Sequence, residues 1–316
     1  MRQLRTDFPF EDAIFNRSAE EPTPKISVVI PVYNKAAAIQ TTLESVTSQK
    51  LSVPFEIVVV DDGSRDQSGE IIRDLAQTDA RIRYFFQENT GVSAARNYGV
   101  KQARGEWVVF LDADDLFLPG GLQELYQATT PPAYTTDIDF ACANFLTHGG
   151  KPFLPKMKAQ IITNGFRAWV LRLFFPRTGT FIFRRAQALK FPFDTKLKRY
   201  EDAKFLFDYF RTRKPIATSP VPVMIYREEF CTESKARDFE QDFLCELNFF
   251  GKSFWEKLAL GGLLATGIRT YGPSVREHYI DFLIWAKFHE ILRVLVRMQN
   301  SVLKRIAYLS RLLDHL

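Results

Sequence analysis

The sequence predicts an α/β fold with a mainly parallel central sheet, and three observations support this prediction. Between residues 26 and 111, short apolar runs rich in Val and Ile alternate with segments whose apolar residues recur every three or four positions. Polar and acidic residues follow directly after the runs. Repeated strand–helix–strand units form a parallel sheet, and ligands bind outside the carboxyl ends of its strands.

The predicted elements follow one another from residue 26. The strands are residues 26–30, 56–60, 81–87 and 107–111. The first helix has Ile39, Leu43 and Val46 inward, the second has Ile71, Ile72 and Leu75 inward, and the third covers residues 93–103. Val-rich runs such as 56–60 are typical of strands that are buried on both faces of a parallel sheet.

Three aspartates follow the fourth predicted strand. Asp112 and Asp114 point in the same direction if the chain stays extended there, and Asp115 comes next. Carboxylate oxygens are ligands for Mg²⁺ or Mn²⁺, which complete their shells with waters and substrate phosphates. The triplet therefore indicates a metal that bridges a diphosphate. The alternative interpretation is a solvated acidic turn at the end of a buried strand.

Five short motifs stand in a fixed order along residues 25–230. They are Pro31-Val32-Tyr33-Asn34, Val60-Asp61-Asp62-Gly63-Ser64, Gly91-Val92-Ser93-Ala94-Ala95-Arg96-Asn97-Tyr98-Gly99, Phe110-Leu111-Asp112-Ala113-Asp114-Asp115 and Glu201-Asp202. Any one of them is a weak signal, but their order and spacing together resemble the family 2 inverting glycosyltransferases. The resemblance implies a GT-A fold that binds a nucleotide-sugar, with a metal on the diphosphate of a UDP or related donor.

The resemblance also implies roles for individual residues on the donor side. The residues matched to donor binding are Pro31, Val32, Tyr33, Asp62, Gly91, Arg96, Asp112 and Ala113, and those matched to the metal are Asp114 and Asp112. Tyr33 and Pro31 resemble the wall against which the base rests, and Asp62 resembles the acid that binds the imide N–H of uracil. Arg96 is expected on a loop that closes over the nucleotide. Asp112 resembles the acid near the ribose and the metal, and Asp114 resembles the direct ligand.

Simpler structural roles are the alternatives at several of these positions. Tyr33 would then be a core aromatic residue and Arg96 a surface arginine on a helix. Asp61 is expected to cap the turn or the following helix through its short side chain. Glu201 suits the first turn of a helix, where a negative charge interacts favourably with the helix dipole.

The pair Glu201-Asp202 resembles the family's later acidic pair, whose aspartate is the catalytic base. Inversion at the anomeric carbon requires the acceptor oxygen to attack from the face opposite the leaving nucleoside diphosphate. An aspartate with a pKa near 4 is ionised at neutral pH, and a positioned general base contributes about 10²- to 10⁴-fold. We therefore predict Asp202 as the base, with Glu201 as the next candidate.

Composition, cysteine content and net charge argue against several classes of protein. The chain has 316 residues, 46% of them hydrophobic and 25% charged, which is enough for one large core and an appendage. Its three cysteines form no CxxC pair, which argues against a disulfide framework or a zinc site and favours a reducing cytoplasm. Residues 1–24 show no secretory signal and are expected to be an arm or linker. A net charge of +5 is modest, and no nucleic-acid partner is expected.

The C-terminal region, residues 231–316, is predicted to be helical and lies outside the resemblance. Its longest apolar run, 258–268, is too short to cross a bilayer. From Ile284 to Leu313, apolar residues recur at helical spacing and form one stripe, with basic residues opposite. Such a stripe suits packing or a homodimer interface, and it also suits a peripheral contact with an anionic membrane at its inner face.

Three functions agree with the sequence. The first is an inverting, metal-dependent glycosyltransferase that moves a sugar from a UDP donor to a hydroxyl of a glycan or glycolipid, as in exopolysaccharide or lipopolysaccharide synthesis. The second is a nucleotidyltransferase that makes nucleotide-sugars, although Pro31-Val32-Tyr33-Asn34 stands where its Gly-rich triphosphate loop is expected. The third is a non-enzymatic scaffold that binds partners through its C-terminal helices.

Overall fold

The computed structural model describes residues 23–130, 137–147, 150–171, 173–197 and 201–227. The predicted stripe from Ile284 to Leu313, the apolar run 258–268 and residues 1–22 of the predicted arm lie outside these ranges. Within the described residues, no helix is both long enough and apolar enough to span a bilayer.

The described chain forms one sheet flanked by helices. The strands are β1 (Ile26–Val32), β2 (Phe55–Asp62), β3 (Ile82–Gln87), β4 (Trp107–Phe110), β5 (Leu116–Phe117), β6 (Phe140–Leu146), β7 (Gln160–Ile162), β8 (Phe181–Arg184) and β9 (Ile216–Ile225). The helices are α1 (Ala36–Thr47), α2 (Ser68–Thr78), α3 (Val92–Gln102), α4 (Gly121–Ala128), α5 (Gly165–Val170), α6 (Arg185–Lys190) and α7 (Glu201–Phe210).

The sheet is mixed, and its first half is parallel. The strand order is β3-β2-β1-β4-β8-β6-β9-β5, with β7 paired to β9. Strands β3, β2, β1 and β4 run in one direction, as do β6 and β9, whereas β8, β5 and β7 run in the opposite direction. The predicted α/β class with a mostly parallel sheet is therefore confirmed.

The predicted strand–helix units are all present, but β1 and β2 each continue two residues beyond the predicted end. Pro31 and Val32 of β1 pair with β2, and Asp61 and Asp62 of β2 pair with β3. Asp112 and Asp114 do not continue an extended strand. The Asp115 amide donates to the Asp112 carbonyl at 3.0 Å, so the chain turns between them.

The core has one layer on each face of the sheet, as the period of a strand requires. In β1, Val28 and Ile30 pack with Ile39, Leu43 and Val46 of α1, which confirms the predicted inward face of that helix. Val29 packs on the opposite face, where α3, α5 and α7 lie. This opposite layer is rich in aromatic residues. The ring of Phe205 in α7, for example, has its centroid 5.0 Å from that of Phe183 in β8, and this packing holds α7 against the sheet.

Helix α3 approaches the sheet closely at Gly99. A Cβ atom at this position would lie 2.4 Å from Val29 Cγ1 and 3.3 Å from Val60 Cγ2. Only a residue without a side chain fits there, so this glycine sets the height of α3 above β1 and β2. The height of the helix in turn places Arg96, one turn earlier, beside the loops at the carboxyl ends of the strands.

Candidate active site

The loops after β1 and β2 are tied together at one edge of the sheet. The Asn34 amide donates to Ser64 Oγ at 3.0 Å, and the Arg65 amide donates back to Asn34 Oδ1 at 2.8 Å. Asn34 has φ of 50°, a left-handed conformation that Asn tolerates better than most residues. These bonds give the edge a fixed backbone, on which the side chains of the neighbouring residues are mounted.

Tyr33 stands on this edge with 37% of its surface exposed, so it is not a core aromatic residue. Its ring is available to a planar ligand such as a base. Pro31 and Val32 are buried within β1, and Val32 packs in the core below the edge. Of these three neighbouring residues matched to donor binding, Tyr33 alone therefore offers an exposed ring, and Pro31 and Val32 support its backbone.

Asp62 holds the loop between β3 and α3. Its carboxylate accepts hydrogen bonds from the amides of Thr90 (2.9 Å) and Gly91 (2.8 Å) and from Gln87 Nε2 (2.7 Å). Gly91 has φ of 96°, in the region that favours glycine. The acid matched to uracil thus also shapes the loop that borders the same edge.

Asp61 has the structural role that was expected of it. Its Oδ1 accepts from the Ser64 amide at 2.8 Å, which closes the turn after β2. Its Oδ2 accepts from the Tyr84 hydroxyl at 2.9 Å.

Arg96 corrects two expectations. It lies within α3 rather than on a loop, and it is 4% exposed rather than on the surface. Its Nη2 donates to Asp112 at 2.8 Å and its Nη1 donates to Glu201 at 2.9 Å. The guanidinium also lies 5.1 Å from the ring centroid of Phe193. Arg96 therefore joins the motif after β4 to the acidic pair at the start of α7.

The two carboxylates matched to the metal have different electrostatic surroundings. Asp112 accepts from Arg96 and from Thr178 Oγ1 (2.7 Å), and although burial would raise its pKa, Arg96 and Thr178 hold that pKa below its usual value. Asp114 accepts from Lys35 Nζ at 2.8 Å. Burial and the neighbouring charge of Asp112 nevertheless raise the pKa of Asp114.

Ala113 holds the turn between these two acids. It is 3% exposed, and its carbonyl accepts from Thr42 Oγ1 of α1 at 2.8 Å. Its contribution to a donor site is therefore the position of the backbone.

Asp115 is the most deeply buried acid of the triplet, at 1% exposure. Its Oδ1 accepts from the Arg227 amide at 3.2 Å, and its buried Oδ2 has no hydrogen-bond partner among the described residues. Burial, with the charge of Asp112, raises the pKa of Asp115 to about 8. Arg177 lowers that pKa in part, and its guanidinium lies 3.5 Å from the ring centroid of Tyr226.

Glu201 and Asp202 open α7, where negative charge interacts favourably with the helix dipole. Glu201 is bound by Arg96, as described above. Asp202 Oδ1 accepts from the Ala203 amide at 2.7 Å. Burial raises the pKa of both carboxyls, and Arg96 opposes the rise in both. Asp202 is the member of the pair that Arg96 does not hold by a hydrogen bond.

Burial, and secondarily the charge of neighbouring carboxylates, raises the pKa of Asp114, Asp115, Glu201 and Asp202, so negative charge is poorly compensated in this cluster. A divalent cation would relieve this excess of negative charge. The described residues contain no group of three acidic, His or Cys side chains arranged as a metal cage. The donor set therefore fits Mg²⁺ or Mn²⁺ only as these ions are usually held, by one or two carboxylates together with waters and substrate phosphates.

Three residues of the cluster had no place among the predicted site residues. Lys35 directly follows Tyr33 and Asn34, and its position after the first strand could have indicated it. Arg177 and Thr178 could not have been found by spacing, because Thr178 lies 66 positions from Asp112. The loop before β8 brings them to the acids only in the folded chain.

The chain is similar to known proteins in both sequence and fold. The sequence profile of Glycosyl transferase family 2 matches residues 27–208. An uncharacterized glycosyltransferase of Bacillus subtilis (strain 168), EpsJ, is 31% identical over 222 residues, which are 65% of this chain and 61% of EpsJ. The alignment thus spans less than two thirds of that relative.

Two solved structures show the same fold. S. aureus TarS 1-349 in complex with UDP-GlcNAc superposes with a TM-score of 0.65 at 20% identity, covering 82% of this chain and 79% of the TarS 1-349 chain. The mannosyltransferase PcManGT from Pyrobaculum calidifontis, in complex with GDP-Man and Mn²⁺, gives a TM-score of 0.53 at 18% identity over 93% of this chain and 88% of its own. These likenesses confirm the predicted GT-A fold. Since the family profile spans more than half of the chain, the protein belongs to glycosyl transferase family 2.

Proposed function

We propose that this protein is an inverting, metal-dependent glycosyltransferase that moves a sugar from a UDP donor to a hydroxyl group of a glycan or glycolipid. The observation that carries the proposal is the Arg96 guanidinium, which binds Asp112 on the donor side and Glu201 beside the candidate base. The buried Arg96 guanidinium thus holds the donor-side acid and the start of α7, which carries the candidate base, at a fixed separation. We assign residues 25–230 to the catalytic domain, residues 1–24 to an arm or linker and residues 231–316 to a helical C-terminal region.

The donor assignment rests on the edge formed by the loops after β1 and β2. Tyr33 offers an exposed ring to the base, and Asp62 Oδ2, which accepts from the Gly91 amide, has a second lone pair for the imide N–H of uracil. The fold shared with a UDP-GlcNAc complex supports UDP as the nucleotide. The GDP-Man complex of a second neighbour makes GDP the alternative to be tested.

Asp114, with Asp112 beside it, would hold Mn²⁺ or Mg²⁺. When bound, the ion supplies positive charge that stabilises the departing diphosphate. Asp112 would orient the donor through its fixed carboxylate, since Arg96 and Thr178 already hold both of its oxygens.

Asp202 is the proposed general base. Its raised pKa brings it closer to neutrality, where a base is both ionised and basic enough to accept the acceptor's proton. Glu201 is less suited to the role because Arg96 engages its Oε1. Inversion then follows if the acceptor oxygen attacks from the side of Asp202 while the nucleoside diphosphate leaves on the opposite side.

A binding scaffold has no need of this acid cluster. Burying carboxyl groups without full compensation costs free energy, and in the described part of the chain the buried Asp115 Oδ2 has no partner. This cost is understandable in an enzyme that binds a cation and a charged donor there. We place the enzyme in glycan, exopolysaccharide or lipopolysaccharide synthesis in the cytoplasm. A homodimer or a contact with the inner face of the membrane through residues 284–313 is part of the same proposal.

The test is a panel of UDP-, GDP- and dTDP-sugars with and without Mn²⁺, read by thermal shift and by slow hydrolysis of the donor. We expect the UDP-sugars to give the largest shift, and only with the metal. With a validated acceptor, the NMR coupling constant of the new glycoside should show inversion of the donor's α linkage to β. Retention of configuration would reject the inverting mechanism. Thermal shifts that are the same whether or not a nucleotide-sugar is present would reject the assignment as a glycosyltransferase.

A further inference from the structure

Lys35 forms an ion pair with Asp114, the carboxylate that is proposed to bind the metal. Its Nζ lies 2.8 Å from Asp114 Oδ2. The two side chains are 27% and 12% exposed, so the pair is shielded from water only in part. An ammonium group and a divalent cation compete for the same carboxylate oxygen, because each requires it as an acceptor or ligand.

The backbone of Lys35 is fixed, whereas its side chain is long and flexible. The Lys35 amide donates to Ser68 Oγ at 2.8 Å, and the Lys35 carbonyl accepts from the amides of Ala38 and Ile39 at 2.9 Å. Residues on both sides are also tied to the loop after β2, through Ser64 and Asp66. The ammonium can therefore change its position by rotation of the side chain without movement of the loop.

Electrostatic interactions decide when it is favourable for the Lys35 ammonium to leave Asp114. A divalent ion on Asp114 and the Lys35 ammonium beside it would repel each other at short range, since both are positive. The diphosphate of a donor removes this conflict, because it brings several negative oxygens within reach of both cations. Lys side chains are common ligands of phosphate, as point charges rather than bidentate forks.

We propose that Lys35 neutralises Asp114 in the donor-free enzyme and moves to the donor diphosphate when the divalent cation takes Asp114. The cation and the nucleoside diphosphate then bind cooperatively, and each binds poorly alone. This inference rests on the proposed function and adds to it a residue that makes the metal site dependent on the donor. The coupling is reciprocal, as binding linkage requires.

The experiment measures a full binding cycle for Mn²⁺ and UDP. Calorimetric titration gives the UDP affinities with and without Mn²⁺, and electron paramagnetic resonance of free Mn²⁺ gives the metal affinities with and without UDP. The proteins are the wild type, Lys35→Met, Lys35→Arg and a matched control, Lys25→Met. Lys25 also pairs with a carboxylate, Glu106, but outside the described acid cluster.

In the wild type, UDP should tighten Mn²⁺ binding by about 100-fold, within the usual range of coupling between sites. Lys35→Met should bind Mn²⁺ alone about tenfold more tightly, because the competing ammonium is absent. Its affinity for UDP in saturating Mn²⁺ should fall by about tenfold, so that the coupling shrinks. Lys35→Arg keeps the charge and should stay within about threefold of the wild type in the coupling, as should Lys25→Met.

Two outcomes would overturn the inference. If Lys35→Met binds Mn²⁺ alone no more tightly than the wild type and keeps the full coupling, Lys35 does not guard the metal site. If wild-type UDP affinity is the same with and without Mn²⁺ but is lost in Lys35→Met, Lys35 replaces the metal permanently. Both results leave UDP binding, and so the proposed donor and transfer reaction, intact; the second removes the metal dependence from the proposed function. A wild type that binds neither UDP nor another nucleotide rejects the proposed function together with this inference.

Discussion

The Arg96 guanidinium donates to Glu201 at 2.9 Å, across 105 positions of the chain. This bond is made in a nearly closed environment, with Arg96 4% exposed and the Glu201 side chain 14% exposed. The other terminal nitrogen of the same guanidinium, Nη2, donates to Asp112. The start of α7, and with it the candidate base, is therefore positioned by a residue of α3 that belongs to the donor half of the domain.

Replacement of Arg96 by Met should destabilise the protein strongly. The change leaves Asp112 and Glu201 without their shared cation, and breaking a buried ion pair in this way costs about 3–5 kcal/mol. Urea unfolding at neutral pH measures the loss. Because the two carboxylates would then have higher pKa values, the deficit should shrink as the pH falls and they become protonated. Arg73→Met, at a surface position over Tyr84, is the control. A loss below about 1 kcal/mol at neutral pH would contradict a structural role for the bridge.

Replacement of Asp202 by Asn should separate base catalysis from donor binding. The amide keeps the size of the side chain but cannot accept the acceptor's proton, so transfer should fall by about 10²-fold or more while UDP affinity changes little. Steady-state kinetics and calorimetry give the two quantities. Glu201→Gln, which keeps one oxygen for Arg96, should retain more activity. If Glu201→Gln loses more transfer activity than Asp202→Asn, Glu201 is the base.

The pH dependence of wild-type transfer provides a second check on Asp202. A base must be deprotonated, so activity should be lost as the pH falls through the pKa of Asp202. Because burial raises this pKa, the acid limb should lie above the ordinary aspartate value near 4. An acid limb at or below that value would indicate another base.

Replacement of Asp114 by Ala should uncouple UDP binding from the metal. The change removes one carboxylate ligand at the turn after β4, and Mn²⁺-dependent UDP affinity should drop by more than about tenfold. Calorimetric titration of UDP with and without Mn²⁺ measures the effect. Stability should change little, because Asp114 has a raised pKa and its loss removes an unfavourable buried charge. Equal affinities in the wild type and the variant would reject Asp114 as a ligand.

Replacement of Asp115 by Asn should change how stability depends on pH. The pKa of Asp115 is about 8 in the folded protein and near 4 when unfolded, so between these values the native state binds more protons. Stability of the wild type therefore falls as the pH rises through this window. Without metal or nucleotide, Asp115→Asn should be more stable than the wild type at about pH 8.5 and similar at about pH 5.

Thermal unfolding across the pH range is the measurement for Asp115→Asn. Asp137→Asn, at an aspartate whose side chain is 83% exposed, should show the wild-type profile. A variant at Asp115 with an unchanged slope would mean that its carboxyl is not held protonated by the fold.

The sequence by itself determined the repeated strand–helix units, because local periodicity records which face of each element is buried. Asp61 was also interpreted correctly as a turn residue, since its contact with Ser64 is only three positions away. The motifs indicated the family and the edge of the sheet where we propose that the donor binds. All of these features depend on short segments, and the physical rules for short segments can be applied without the fold.

Only the tertiary structure decided which side chains meet. Arg96 was expected on a loop, yet it is buried in α3, because Gly99 lets that helix lie close to β1 and the guanidinium then reaches acids on two other elements. Thr178 reaches Asp112 across 66 positions, and Lys35 reaches Asp114 across 79. The charge of each acid depends on these long-range partners and on burial. Neither is encoded in the spacing of residues along the chain, which is why the sequence could indicate the acids but not their pKa values or the cations that hold them.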